Sequence, residues 1–336
     1  MYRFNSLLHL WRTIKVTLRH FITILVSIYL LLLQTGCSTL PDAANFPHVP
    51  AEPFRFKHEG EAPSYSLQLG DENTSDMVFF FISGSGCASI KHRLDPFFKP
   101  IRSNVNAMVF SLQKRAIDPD DLEGSSCSSA FRKTDYIEQT IADQREFIGT
   151  QLDKFPVKPK AVVLVGASEG AFVAARIANS DRRITHIGLI GSGGTTMREN
   201  LTVLSRSTWY LRNPEKGFAE IAADPDNTDE QIWGHSYKYW ASLLDIDIGN
   251  ELIQLDIPIV AAMGEKDESV AVDSARRMQK MFEQAGKKNL ELLVYPDANH
   301  RLQSKESSYA GDFLEKLVAT IQKTVASENR PELVPD

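Results

Sequence analysis

The chain has 336 residues, 43% hydrophobic and 24% charged, enough apolar material for a substantial core that needs neither a metal nor a disulfide scaffold to fold. Its 43 Asp and Glu outnumber 37 Lys and Arg, for a formal net charge of −6. An acidic chain without a Lys/Arg stripe argues against nucleic acid as a partner, and the lack of a His-Glu-x-x-His motif or paired metal-ligand cysteines gives no indication of a metal or other cofactor.

The first twenty residues carry Arg3, Arg12, Lys15 and Arg19 and no acid, and FITILVSIYLLLL follows before Gln34-Thr35-Gly36-Cys37. A basic stretch, a short apolar run and small residues form the layout of a secretory signal. The apolar run would make a helix of roughly 20 Å, against a hydrocarbon core about 30 Å thick, which disfavours a permanent span. Leu-Gln-Thr-Gly-Cys resembles the lipobox of bacterial lipoproteins, although Gln34 stands where leucine is usual and Leu33 lies one place further off. That resemblance implies removal of residues 1–36, lipidation of Cys37 and, with Ser38 next, delivery to the outer membrane of a bacterial cell envelope. An uncleaved anchor and an ordinary signal peptide cut nearby are the alternatives. Acyl chains contribute about 0.8 kcal/mol per buried CH₂, so several would hold the protein firmly at the membrane. Loss of the leader leaves 33 basic residues against 43 acids, a net charge of −10.

Residues 37–63 are polar and include Pro41, Pro47, Pro50, Pro53 and Pro63, the composition of a linker that holds a domain off the membrane. From residue 64 to 325 apolar runs alternate with helical patterns. SYSLQL (64–69) alternates as a half-buried strand, while MVFFFI (77–82), AMVFSL (107–112), AVVLVG (161–166), ITHIGLIG (184–191), IPIVAAMG (257–264) and LELLVYP (290–296) read as buried strands. Between them Ile137, Ile141, Ile148, Leu152 and Phe155 share a helical face, as do Met278, Met281, Phe282 and Ala285, and then Leu314, Leu317, Val318, Ile321 and Val325. Strands alternating with helices predict an α/β fold, a mostly parallel sheet covered on both faces. Residues 195–255 break this rhythm with Trp209, Trp233 and Trp240 and read as a small helical cap insertion over the strand ends; residues 326–336 read as a tail. Cys87 and Cys127, the cysteines left after the leader, are expected to pair in an oxidising compartment, with two half-buried free thiols as the alternative.

The chemistry centres on Gly166-Ala-Ser168-Glu-Gly170, set between the strand AVVLVG and the helix former EGAFVAARIA. This is the strand–turn–helix setting of a nucleophile elbow. Its glycines are required because a Cβ beside so sharp a turn collides with the neighbouring strand or helix. Serine is a weak nucleophile without a base, and two later strand ends offer the missing partners. IPIVAAMG runs into Glu265-Lys-Asp267-Glu268, and LELLVYP into Asp297-Ala-Asn-His300. Any of the three acids in the first loop could orient the base. Of the other histidines only His92 and His235 rival His300. One oxyanion donor is expected to be the N–H of Glu169, and the second to come from Ser83-Gly84-Ser85-Gly86-Cys87, with Gly84 and Ser85 as candidates. The same glycine loop fails as a dinucleotide fingerprint, lacking a third glycine, and as a phosphate loop, lacking Gly-Lys-Ser/Thr.

In this order of motifs, residues 64–325 resemble an α/β-hydrolase, and the Gly-Glu-Lys-Asp and Ala-Asn-His stretches are similar to the dienelactone hydrolase and prolyl-oligopeptidase-like branch. The resemblance implies Ser168 as nucleophile, His300 as general base and Asp267 as its orienting acid. It implies a membrane-anchored serine hydrolase that cleaves the carboxylic ester of a small-molecule acyl substrate through an acyl-enzyme. Peptidase or thioesterase activity is the runner-up. Oligopeptidases of this kind carry an N-terminal propeller, whereas only about 25 residues separate Cys37 from the first expected strand. A non-catalytic binding lipoprotein is the reading of a different class.

Overall fold

The computed structural model describes residues 49–70, 76–122, 124 and 127–328. The expected signal peptide, Cys37 and most of the expected linker lie outside these described residues. The described residues form ten strands: β1 (Glu52–Arg55), β2 (Glu61–Leu69), β3 (Met77–Ile82), β4 (Ala107–Leu112), β5 (Ala161–Ala167), β6 (His186–Ile190), β7 (Gln231–Ile232), β8 (His235–Ser236), β9 (Ile259–Gly264) and β10 (Leu290–Tyr295). Eight of them make one sheet in the order β1-β2-β4-β3-β5-β6-β9-β10, and β7 and β8 make a small hairpin. Within the eight-stranded sheet, pairing is parallel from β4 through β10 and antiparallel at β1–β2 and β2–β4; the β7–β8 hairpin is antiparallel.

The helices are α1 (Leu94–Phe98), α2 (Ser129–Thr134), α3 (Ile137–Leu152), α4 (Glu169–Ser180), α5 (Met197–Leu204), α6 (Pro214–Ala223), α7 (Tyr237–Leu243), α8 (Ile248–Ile253), α9 (Val272–Gln284) and α10 (Ala310–Glu328). They cover both faces of the sheet, and the alternation of β5 shows how. Val162 and Leu164 enter one core with Ile137, Phe147 and Ile148 of α3 and with α4, while Val163 and Val165 enter another with Phe98 of α1 and Phe313, Leu314 and Leu317 of α10. Successive side chains of a strand point to opposite faces, so a strand buried on both sides must be apolar throughout.

The stretch read as linker departs from expectation at its end. Residues 52–55 form β1, and β2 begins at Glu61 rather than Ser64. Phe54 and Phe56, two positions apart, are buried beside Phe147, and the Arg115 guanidinium sits 4.0 Å over the Phe56 ring. Prolines concealed this strand, yet Pro53 is tolerated because β1 is the outermost strand, where a missing N–H breaks no ladder. At the other end α10 continues past residue 325 to Glu328.

Residues 195–255 form α5, α6, the β7–β8 hairpin, α7 and α8, with a 3₁₀ turn at Trp209–Leu211. The two-residue hairpin was not legible as strand. Trp233 and Trp240 pack edge to face at 5.8 Å, and Phe218, Tyr239, Trp240, Leu243 and Leu252 join the core that contains α3 and α4. Trp209, by contrast, is 77% exposed. Among the described residues no helix is long and apolar enough to cross a membrane.

Candidate active site

Ser168 occupies the junction of β5 and α4 with φ +53° and ψ −117°, a backbone conformation that costs on the order of 1–3 kcal/mol for a residue with a Cβ. The flanking glycines make the bend possible. A Cβ on Gly170 would run into the Ile82 carbonyl oxygen and stand 2.8 Å from that of Ser83; one on Gly166 would run into the Gly170 carbonyl oxygen and stand 2.8 Å from Ala171 Cα. The Ser168 N–H donates to the Ile190 carbonyl at 2.7 Å, tying the elbow to the end of β6. Because α4 begins at Glu169, its unpaired first amides open beside the serine.

His300 reaches the same corner from the loop after β10. Asn299 shapes that loop by accepting from the N–H groups of Arg301 and Gln303 at 2.9 and 3.1 Å. The imidazole lies against Gly191, where a Cβ would meet Cε1 at 2.8 Å and Nδ1 at 2.9 Å, and Gly191 directly follows the Ile190 that accepts from Ser168. Gly191 also has φ +60°. Gly191, the first residue of the Gly-Ser-Gly-Gly run that follows β6, therefore clears space for the histidine.

Asp267, in the loop after β9, accepts from His300 Nδ1 through Oδ2 at 2.7 Å and from the N–H groups of Ser269 and Val270 through Oδ1 at 2.8 Å each. Its carboxylate is fully buried while the imidazole remains 17% exposed. With Nδ1 donating to the aspartate, Nε2 is left to act as a base. The neighbouring acids are engaged elsewhere. Glu265 pairs with Arg276 at 2.7 Å, and Glu268 meets His300 only at its backbone N–H, at 3.4 Å. His235 lies on β8, stacked on Tyr239 at 3.9 Å and 3.6 Å from Asp135, and His92 lies in the turn just before α1.

The glycine loop after β3 abuts the elbow. A Cβ on Gly84 would stand 3.2 Å from Ser168 Cβ and 3.1 Å from the Ala167 carbonyl oxygen. Several bonds brace this loop. Cys87 and Cys127 form a disulfide with Cα atoms 5.5 Å apart, Ser89 N–H donates to Asp121 O at 2.7 Å, and Gln113 accepts from Ile90 N–H and donates to Ala88 O at 3.0 and 3.2 Å.

Sequence reasoning missed a buried ionic cluster under the elbow. Lys114, just past β4, sits 2.8 Å from Glu169 and 2.7 Å from Asp135, and all three side chains are at most 6% exposed. Burial pushes the Lys114 ammonium down, but Glu169 and Asp135 outweigh it and hold the pKa up at about 12. Burial pushes the Tyr239 phenol well up, as do the Glu169 and Asp135 charges and a hydrogen bond to Glu169, against the opposing effect of a hydrogen bond with Ser85. The available signal was Gln113-Lys114-Arg115, charges set directly at the C-terminal end of a buried strand, on the edge where the other candidates stand.

A cavity of about 350 Å³ opens in the cap insertion beside Tyr210, Arg212, Lys216 and Trp233, but none of Ser168, Asp267 or His300 lines it. Among the described residues no cluster of three or more His, Cys, Asp or Glu is arranged to hold a metal ion.

Residues 121–327 match the profile of the Prolyl oligopeptidase family. Among solved structures, the Pyrococcus furiosus esterase Pf2001 is similar at 17% identity and TM-score 0.53, covering 80% of this chain and 90% of its own. Est1E from Butyrivibrio proteoclasticus is similar at 10% identity and TM-score 0.56, over 83% of this chain and 99% of its own. The Pyrococcus horikoshii acylaminoacyl peptidase is similar at 11% identity and TM-score 0.53, over 87% of this chain but 44% of the peptidase. A search of curated proteins finds no match. Identities this low establish the shared α/β-hydrolase fold.

Proposed function

The chain belongs to the prolyl oligopeptidase family and is a serine hydrolase, and we propose that it hydrolyses carboxylic esters at Ser168 through an acyl-enzyme. The observation that carries this reading is the 2.7 Å bond between His300 and the buried Asp267, at a corner shared with the elbow through Ile190 and Gly191. His300 takes the hydroxyl proton of Ser168 as the oxygen attacks the substrate carbonyl. Asp267 fixes the imidazole tautomer and stabilises its charged form. The N–H of Glu169 and one from Gly84 or Ser85 receive the oxyanion; His300 then returns the proton to the leaving group, and water repeats the sequence to release the acid.

An ester is favoured over an amide because the likeness to the esterase extends over 90% of that chain, whereas the likeness to the acylaminoacyl peptidase covers 44% of it. Family membership favours amide cleavage as the second reading. The leader and Cys37 support attachment to a bacterial envelope membrane through a lipid anchor.

The test is labelling of the detergent-solubilised full chain by a fluorophosphonate, together with turnover of p-nitrophenyl esters and aminoacyl nitroanilides. Ester turnover and labelling, both abolished by Ser168→Ala, are the expected result. Undiminished turnover by that variant refutes the nucleophile, and nitroanilide cleavage outpacing ester cleavage moves the reading to a peptidase.

A further inference from the structure

The proposed triad makes no use of the ions buried beneath it. Lys114, Asp135 and Glu169 put two carboxylates and one ammonium in the protein interior, next to the position where a transition-state oxyanion would form. Such a group is costly to bury unless it is fully paired, so its geometry is tightly determined. The contacts of Glu169 are the most informative. Its backbone is the proposed first oxyanion donor, and its side chain, 3% exposed, is gripped by Lys114 Nζ at 2.8 and 2.9 Å to its two oxygens.

From this grip the connections run into the cap insertion. Lys114 holds Asp135 at 2.7 Å, and Asp135 lies 3.6 Å from His235 Nδ1 on β8. His235 stacks on the Tyr239 ring at 3.9 Å, and Lys114 Nζ sits 5.9 Å over that ring. The Tyr239 side chain, on α7 and 4% exposed, lies within this cluster, and its phenol is a polar neighbour of both Glu169 and Ser85. One phenol from the cap is thus a neighbour of a residue from each of the two segments proposed to supply the oxyanion donors, one at the elbow and one in the loop after β3.

We propose that Tyr239 and Lys114 are positioning residues that set the spacing of the two oxyanion donors, so that the cap insertion takes part in transition-state stabilisation. This rests on the hydrolase reading given above. Oxyanion donors act only within a narrow range of distance from the developing charge, so a brace across both acts on kcat rather than on ground-state binding.

The experiment compares the full chain with Tyr239→Phe, which keeps the ring against His235 and removes the hydroxyl, and with the double variant Lys114→Met/Glu169→Gln, which removes the central ion pair. The readouts are kcat and KM for a p-nitrophenyl ester, affinity for a trifluoromethyl ketone as an oxyanion analogue, and stoichiometry of fluorophosphonate labelling. For Tyr239→Phe the expected result is a fall in kcat of about 10- to 100-fold with KM within about threefold, and a matching loss of ketone affinity. A purely structural role would lower the unfolding midpoint and leave kcat per labelled site unchanged. A Tyr239→Phe variant that keeps kcat and ketone affinity within about twofold of wild type overturns the proposal. If the double variant fails to fold, Tyr239→Phe alone decides. If wild-type Ser168 takes no fluorophosphonate, the hydrolase reading itself falls, an outcome distinct from labelled enzyme indifferent to Tyr239.

Discussion

Replacing Cys87 and Cys127 with alanine tests how far the glycine loop depends on its covalent brace. The disulfide joins positions 40 apart in sequence. For a closed loop of that size, the restriction of the unfolded chain is worth about 4 kcal/mol at 25 °C. Domains are commonly stable by only about 5–15 kcal/mol, so this loss is a large fraction of the total. The assay is urea unfolding followed by tryptophan fluorescence, on wild type and double variant, each with and without dithiothreitol. The variant should lose several kcal/mol, reductant should bring wild type down by a similar amount, and reductant should leave the variant unmoved. Because Gly84 abuts Ser168 and Cys87 lies three positions further along, the variant should also show a lower kcat at temperatures where it remains folded. An unfolding free energy within about 1 kcal/mol of wild type would refute the reasoning, because it would mean that the cross-link restricts the unfolded chain far less than a closed loop of this size requires.

Other outcomes follow from the same geometry. Gly170→Ala places a methyl group against the Ile82 and Ser83 carbonyl oxygens and should cost about 1–3 kcal/mol in chemical denaturation, along with much of the ester turnover. Asp267→Asn should lower kcat on the order of 10⁴-fold by disturbing the imidazole tautomer, whereas Glu265→Gln, which loses only an exposed pair with Arg276, should leave kcat within about twofold of wild type. Steady-state kinetics on the two variants would separate the acids, and comparable losses would displace Asp267 from its role. His186 on β6 is buried, its Nε2 lacks a hydrogen-bond partner, and burial lowers its pKa from 6.5 to about 4. The unfolded chain takes up this proton as pH drops through 6.5 while the folded chain does not until about 4, so folding stability should fall by about 3 kcal/mol across that window. Denaturation of His186→Leu at pH 7 and pH 4.5 should show a correspondingly shallower pH dependence, and an unchanged slope would remove His186 from the acid response.

What could be read from the sequence was whatever depends on local pattern. The apolar runs of β3, β5, β6 and β9 are buried on both faces, so all their positions but His186 are apolar and the runs stand out. The elbow was legible because its glycines, its serine and the flanking strand and helix are contiguous. The proximity of Asp267 to His300 was inferred from their places after successive strand ends, which a parallel sheet brings to one edge. Other features depend on contacts between distant segments. Lys114, Asp135, Glu169 and Tyr239 come from four separate parts of the chain, and no spacing rule joins them. β1 was masked by Pro53 and its charges, although the Phe54 and Phe56 alternation was present in the sequence. The purpose of Gly191 is visible only once the His300 ring lies against it.

The sheet's outer rim carries a consequence for the behaviour of many copies together. A second molecule approaching β1 edge-on would meet Glu52, Pro53 and Arg55. The proline offers no amide for intermolecular pairing, and the charges on either side keep that border hydrated. Cross-strand recruitment between copies should halt there, leaving solubility at high local concentration protected by the same residues that disguised the strand.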